Sequence, residues 1–163
     1  MEQYIPVVAS LKPAELRAWR AFLNAQATVL RQLEAELVAE EGMTLAEFDV
    51  LVQLQLAPER RLRMNELSDH VRLSPSGITR LVDRMVEAGL VERGPCATDR
   101  RVTRAILTAA GRARLRRASP LHLRGVREHF ARRLTSEQLD ILADALELVA
   151  LKTGGGDPVS SKP

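Results

Sequence analysis

The sequence predicts a mainly α-helical fold carrying one small β-hairpin, and three observations lead there. Aromatic residues make up only 3% of the 163 residues, so the core rests on Leu, Val, Ile and Ala, a composition that favours helices. Apolar residues recur at helical spacing over long segments, the first from residue 13 to about 40. Two short runs, "LVERGPC" and "VTRAIL", flank the polar turn "ATDR" and read as paired strands.

Taken in order, the first helix places Leu16, Trp19, Leu23, Leu30, Leu33 and Leu37 on one stripe, flanked by Phe22 and Val29. Pro13 sits in its first turn, where a missing N–H costs nothing, and Gly42 ends it. At 1.5 Å per residue such a helix runs roughly 40 Å, more than one small domain covers, so part of it seeks a partner. Thr44 is the N-cap candidate for "LAEFDVLVQLQLA", which Pro58 stops. A short basic strand, "RLRM", precedes a compact helix from Met64 to His70 with Leu67 and Val71 inward. Ser74 before Pro75 opens a further helix, a capping hydroxyl followed by a residue with preset φ, and it runs to about Ala88 with Gly89 as its stop. After the hairpin, Thr108 can cap a helix reaching about Pro120, and "LHLRGVREHFARRL" continues as helix beyond it. Thr135 opens the last helix in a capping box with Gln138, and Leu139, Leu142, Leu146 and Val149 form its stripe. The tail "TGGGDPVSSKP" reads as disordered, and there are no internal repeats.

Length and composition narrow the class. At 163 residues, 45% apolar and 28% charged, the chain suits one globular domain. No run of about 18 apolar residues can span a bilayer, and the first residues lack the basic-then-apolar pattern of a signal peptide. Cys96 stands alone, so no internal disulfide forms, in keeping with a reducing, cytoplasmic location.

The net charge of +3 conceals an asymmetry. Residues 1–60 carry five basic and nine acidic side chains, and residues 61–110 carry nine and six. Residues 111–134 carry eight and one, and residues 135–163 two and five. A basic middle between acidic ends points to a polyanionic partner, against the plain alternative of a solvated charged surface. The eight arginines of 111–134 read as a solvated or phosphate-facing surface.

Helix, tight turn, helix and hairpin together make a winged helix-turn-helix. On Pro75–Ala88, Ile78, Leu81, Val82 and Met85 share one face at 100° per residue. The opposite face holds Ser76, Arg80, Asp83 and Glu87, with Thr79 and Arg84 on its flanks. Short hydroxyls and arginine are the groups that bond base edges and phosphates in a major groove, and the helix N-terminus beside Ser74 offers N–H groups to a phosphate. A hairpin beside such a helix brings its tip, with Arg100 and Arg101, over the adjacent minor groove, where a thin extended arginine fits. Asp99 can hold the Arg101 guanidinium in position.

At these residues the chain resembles the MarR (multiple-antibiotic-resistance regulator) family of winged-helix transcription factors. The patterns are "MNELSDHVRLSPSGITRLVDRMVEAGLVER" and "DRRVTRAILTAAG", the second carrying a wing signature of Asp99, Arg101, Leu107, Thr108 and Gly111. The resemblance implies Arg101 as the minor-groove arginine, with Arg100 an extra charge. It implies one domain over 1–163, with dimerisation helices at 13–40 and 112–152, a winged helix-turn-helix at 44–111 and a tail at 153–163. It further implies a homodimer that represses from a palindromic double-stranded DNA operator, released by a small aromatic or phenolic anion held between dimer helices and winged region.

Three residues are candidates for that effector. Trp19 lies on the apolar stripe of the first helix, suited to dimer core or to a ligand contact. Asp49 falls near Leu45, Phe48 and Val52, where a buried carboxylate needs either a structural arginine or a ligand donor. His122 is the third. His122 and His129 lie seven residues apart without accompanying ligands, weak evidence for zinc, so no metal or cofactor is expected. Resemblance to the peroxide-sensing branch is weak, because the first helix holds no cysteine. The rivals are an architectural winged-helix protein without sequence preference, a winged helix used for protein contacts, and an enzyme. The last has no Ser/His/Asp set, phosphate-binding glycine loop or metal cluster behind it.

Overall fold

The first helix, α1 (Pro13–Glu41), is 29 residues long, about 43 Å at 1.5 Å per residue. The Lys12 N–H donates to Glu15 Oε2 at 2.9 Å at its start, and Gly42 closes it in the left-handed region at φ 56°, which glycine adopts without a Cβ penalty. Its buried side chains are Leu33 and Leu37 alone. The N-terminal half therefore stands clear of the rest of the described chain, with Trp19 53%, Phe22 43% and Leu23 39% exposed. The computed structural model describes residues 11–95 and 103–153; Cys96, residues 97–100 where a turn was expected, Arg101 and the residues from 154 onward lie outside the described residues.

Next comes α2 (Leu45–Leu56), opened by the expected capping box: Thr44 Oγ1 accepts from the Glu47 N–H at 3.2 Å, and Glu47 Oε2 accepts from the Thr44 N–H at 2.8 Å. A 3-10 turn at Pro58–Arg60 leads into β1 (Arg61–Arg63). The strand stops one residue short of the predicted "RLRM", because Met64 already begins α3 (Met64–Val71), with Glu66 Oε2 accepting from the Arg63 N–H at 2.8 Å. Then follow α4 (Pro75–Glu87), β2 (Val91–Pro95), β3 (Thr103–Leu107), α5 (Ala109–His129) and α6 (Ser136–Thr153). The strands form an antiparallel sheet in the order β1-β3-β2, so "RLRM" joins the hairpin as a third strand, Arg61 opposite Ile106 and Arg63 opposite Arg104.

The core lies where α2, α3, α4, α5 and the inner face of the sheet meet. Leu51, Leu54, Leu67, Ile78, Val82, Met85, Val91 and Ala105 are 0–1% exposed there. Burying each larger aliphatic side chain contributes about 1.5–3 kcal/mol, and this cluster fixes α4 by its inner face.

Two glycines set close approaches. A Cβ on Gly111 would lie 2.2 Å from the Leu90 carbonyl oxygen, and one on Gly125 would lie 2.6 Å from Leu33 Cδ2. The first packs the start of α5 against the α4–β2 corner, and the second lets α5 cross α1. Thr108 completes the corner: its hydroxyl lies 2.8 Å from the Gly89 carbonyl and 2.9 Å from that of Leu90, and accepts from the Gly111 N–H at 2.9 Å.

Helix α5 departs from expectation at its far end. It passes through Pro120 without interruption, as its buried Ala118 and Leu121 hold both sides of the proline against the core. It ends at His129 rather than continuing to Leu134, and Ala131–Arg133 form a 3-10 turn. The last helix opens with the predicted box, the Thr135 N–H donating to Gln138 Oε1 at 2.9 Å and the Gln138 N–H to Thr135 Oγ1 at 3.2 Å. No side chain from Ser136 to Leu151 is buried. Its helix runs to Thr153, one residue into the predicted tail. Among the described residues, no helix is long and apolar enough to cross a membrane.

Candidate nucleic-acid interface

The turn between α3 and α4 is built by short side chains. Ser68 donates its hydroxyl to the Leu73 carbonyl at 2.6 Å and accepts the Leu73 N–H on its own carbonyl at 3.2 Å. Arg72 between them takes a left-handed backbone at φ 57°. Ser74 Oγ then accepts from the Gly77 N–H at 3.1 Å, so its first duty is the cap, and it lies 3.3 Å from Ser76 Oγ. A side chain on Gly77 would crowd that cap, its Cβ 3.1 Å from Ser74 Oγ.

The two faces of α4 separate as the periodicity predicts. Ile78, Leu81, Val82 and Met85 are at most 3% exposed, while Ser76, Thr79, Arg80, Asp83, Arg84 and Glu87 are all exposed. Thr79 donates its hydroxyl to the Pro75 carbonyl at 2.8 Å, leaving its lone pairs outward. Arg80 Nε to the Ser76 carbonyl and Arg84 Nη1 to the Arg80 carbonyl are both 3.4 Å, at the weak end, so both guanidinium groups stay available. The far end of the face is braced from the wing. Arg93 of β2 places Nη2 2.7 Å from Asp83 Oδ1 and 3.5 Å from the Thr79 carbonyl, tying hairpin to helix.

Sequence reasoning passed over Arg93. Its signal was a charge at an inward strand position: Arg93 pairs with Ala105 and shares a face with buried Val91. Of the predicted wing residues, Asp99, Arg100 and Arg101 lie outside the described residues.

Some of the positive charge on α5 is paired with acidic residues of α1. Arg114 and Arg117 reach Glu41 Oε2 at 3.4 and 2.9 Å, and Arg124 reaches Glu40 Oε1 at 2.8 Å. His129 Nε2 lies 2.6 Å from Glu36 Oε1. Part of the charge asymmetry is thus answered inside the chain, acidic α1 against basic α5, while Arg117 and Arg124 keep side-chain exposures of 60% and 57% and so remain on the solvated surface.

The effector candidates do not converge within one chain. Asp49 is half-buried, and its carboxyl is held above the ordinary value by burial and then by the Glu34 carboxylate. Glu34 itself accepts the Leu45 N–H at 2.6 Å. No arginine meets Asp49 among the described residues, so the expected structural arginine is absent. His122 stacks on Phe48 at a centroid distance of 4.4 Å, its Nδ1 buried without a hydrogen-bond partner and its proton affinity lowered by burial. Successive helix positions point about 100° apart, so Phe48 turns toward α5 while Asp49 turns toward α1. Trp19 packs on Phe22 at 6.1 Å and lies fifteen residues before Glu34 on the same helix, about 22 Å away along its axis. A cleft of about 320 Å³ opens elsewhere, lined by Gly42, Met43, Glu47, Ala88, Leu90 and Arg114.

An apolar-backed helix with a free polar face, preceded by a tight turn and braced by a strand hairpin, defines a winged helix-turn-helix protein. Residues 41–102 match the model of the MarR family. The chain is 32% identical over 110 residues to an HTH-type transcriptional repressor of Mycobacterium tuberculosis, spanning 68% of this chain and 77% of that protein. Among solved structures it is similar to Sco3205, a MarR family transcriptional regulator from Streptomyces coelicolor in complex with DNA. That likeness has 35% identity and a TM-score of 0.80, covering 86% of this chain and 88% of the other. AbsC, a MarR family regulator of the same organism, aligns at 34% identity and TM-score 0.81, over 90% and 98% of the two chains. The chain belongs to the MarR family of DNA-binding transcriptional regulators and is not an enzyme.

Proposed function

We propose that the chain is a homodimeric repressor of a palindromic operator, with α4 in the major groove and the wing over the neighbouring minor groove. The carrying observation is the outer face of α4: Ser76, Thr79, Arg80 and Arg84 exposed on a helix whose other face is locked in the core. In this reading Ser76, Thr79, Arg80 and Arg84 contact bases and phosphates, and Ser74 supports them by capping the helix. Arg101 enters the minor groove beside Arg100, with Asp99 orienting it. The mycobacterial relative is a repressor, and Sco3205 was solved on DNA, which supports the same direction. The exposed apolar rows of α1 and α6 supply the dimer contact at 13–40 and 135–152, and Trp19 belongs to it.

A small aromatic anion is the proposed effector. The Glu34–Asp49 pair makes the α1–α2 side acidic, so an anion fits better on the α5 side, toward His122. Titration with salicylate-like acids, followed by Trp19 fluorescence and DNA release, reads this arm; no change in either signal removes the effector.

Selection of bound sites from random DNA with the purified protein tests the central reading. A single short inverted repeat enriched over all others is the expected result, with light scattering at twice 18.1 kDa. Retention of DNA with no enriched sequence would identify an architectural protein instead.

A further inference from the structure

The acidic C-terminal end of α1 finds its counter-charges on α5 within one chain, but the opposite ends of the helical frame do not. Arg17, Arg20 and Arg31 on α1 are exposed and make no ion pair among the described residues. The same holds for Glu137, Asp140, Asp144 and Glu147 on α6. At 100° per residue the three arginines fall within an arc of about 60°, and the four carboxylates within about 80°. Each charged row runs beside an exposed apolar row. Leu23 and Leu30, 39% and 43% exposed, flank the arginines; Ile141 and Leu148, 62% and 63% exposed, flank the carboxylates.

We infer that the arginine row of α1 receives the acidic row of α6 from a second copy of this chain, and that this charge match selects the dimer partner. The inference rests on the dimer proposed above and specifies its register. Apolar rows alone are indifferent to which family member they meet, whereas a like-charge contact rejects a wrong partner. In a two-fold dimer every such contact occurs twice, so each substitution is felt twice. The acidic row, about 15 Å from Glu137 to Glu147, falls within the length of the basic row, about 21 Å from Arg17 to Arg31, at 1.5 Å per residue. Leucine packing gives the contact its area, and the charged rows along its rim give it selectivity.

The test is a charge exchange in the full-length protein, read by sedimentation equilibrium. One variant carries Arg17→Glu, Arg20→Glu and Arg31→Glu; the other carries Glu137→Lys, Asp140→Lys, Asp144→Lys and Glu147→Lys. Each alone should raise the dimer Kd on the order of tenfold or more, with helical circular dichroism retained. Mixed in equal amounts, the two should restore a dimer at twice 18.1 kDa, because both contacts regain opposite charges. The milder pair Arg20→Gln and Asp144→Asn covers the case in which a reversed variant fails to fold. Either should weaken the dimer and reduce its sensitivity to salt between about 0.05 and 0.5 M. A wild-type dimer whose exchanged variants, or neutral variants, self-associate unchanged overturns the charge register and leaves the dimer standing. A mixture that fails to restore the dimer from folded variants overturns it too. A monomeric wild type removes the dimer itself.

Discussion

In the proposed reading Arg80 and Arg101 meet DNA by different means, so their loss should leave different traces. Arg80 stands on the exposed face of α4, held only weakly to the Ser76 carbonyl. Arg80→Ala should weaken operator binding by about 1–3 kcal/mol and relax the preference at one base position per half-site. Arg101→Ala should weaken binding across sequences more evenly and lower the salt slope, because a minor-groove arginine reads charge and width. Binding curves on a panel of single-base operator variants separate the two, and wild-type affinity and selectivity in both mutants would remove the assignment. Asp49 gives a second test at this scale. Burial and the Glu34 carboxylate raise its proton affinity above the ordinary value of 3.8. The folded chain therefore holds this proton more tightly than the unfolded chain, so stability falls as pH rises from 3.8 through the raised value. The penalty is complete above that window. Asp49→Asn should melt above wild type at pH 7, with the difference closing as pH falls toward 3.8. His122 runs the other way: burial lowers its proton affinity, so its cost is present in acid, below the lowered value, and gone above 6.5. Thermal melts across that range read both, and a lower Tm for Asp49→Asn at pH 7 would mean that the carboxylate has a stabilising partner.

At the scale of elements, the corner where α4, β2 and α5 meet explains why the wing signature ends in Leu-Thr and a nearby glycine. Thr108 hydrogen-bonds the corner carbonyls and caps α5, while Gly111 leaves room for the Leu90 carbonyl. Glycine to alanine inside a helix ordinarily stabilises by about 0.5–1 kcal/mol. Gly111→Ala should do the reverse, costing about 1–3 kcal/mol, since a methyl 2.2 Å from a backbone oxygen forces the helix or the corner to move. Urea unfolding measures it, and a variant as stable as wild type would show that the corner yields easily. Much of the fold is legible in the sequence for the same local reason. Ser74, Thr44, Thr108 and Thr135 are hydroxyl caps whose partners lie three residues away, and Gly42 and Gly89 mark helix ends through their own positive φ. What stayed hidden depends on distant contacts. The Asp83–Arg93 brace joins residues from helix and strand, the third strand exists only because β3 accepts it, and no glycine or proline announces the end of α5 at His129. The candidate DNA face was legible because one amphipathic helix carries it, whereas the candidate effector residues span α1, α2 and α5, whose relative placement no periodicity encodes.

For the whole molecule, the proposed dimeric repressor needs two winged units at a fixed separation, and the fold of the single chain suits that rigidity. Helix α1 is anchored at its C-terminal half by Leu33, Leu37 and the Glu36, Glu40 and Glu41 pairs with α5, while its N-terminal half remains free for a partner. The winged unit is held to the same frame through Gly111, Thr108 and the buried Leu115, Ala118 and Leu121 of α5. A dimer joined through α1 and α6 therefore presents its two α4 helices at one preferred spacing, which for major-groove readers is about 34 Å, one turn of DNA. Inserting about five base pairs between the half-sites turns one of them to the opposite side of the duplex. Affinity should then fall to that of a single half-site. Inserting a full turn of about ten base pairs restores the facing but adds about 34 Å of separation, which a rigid dimer cannot span, so affinity should stay low. Flexibly tethered units would recover with the full turn, and an architectural binder would ignore both insertions. Gel-shift titrations on the three operators at one fixed salt concentration distinguish these outcomes, and undiminished binding to either spaced operator would rule out a rigid two-fold reader.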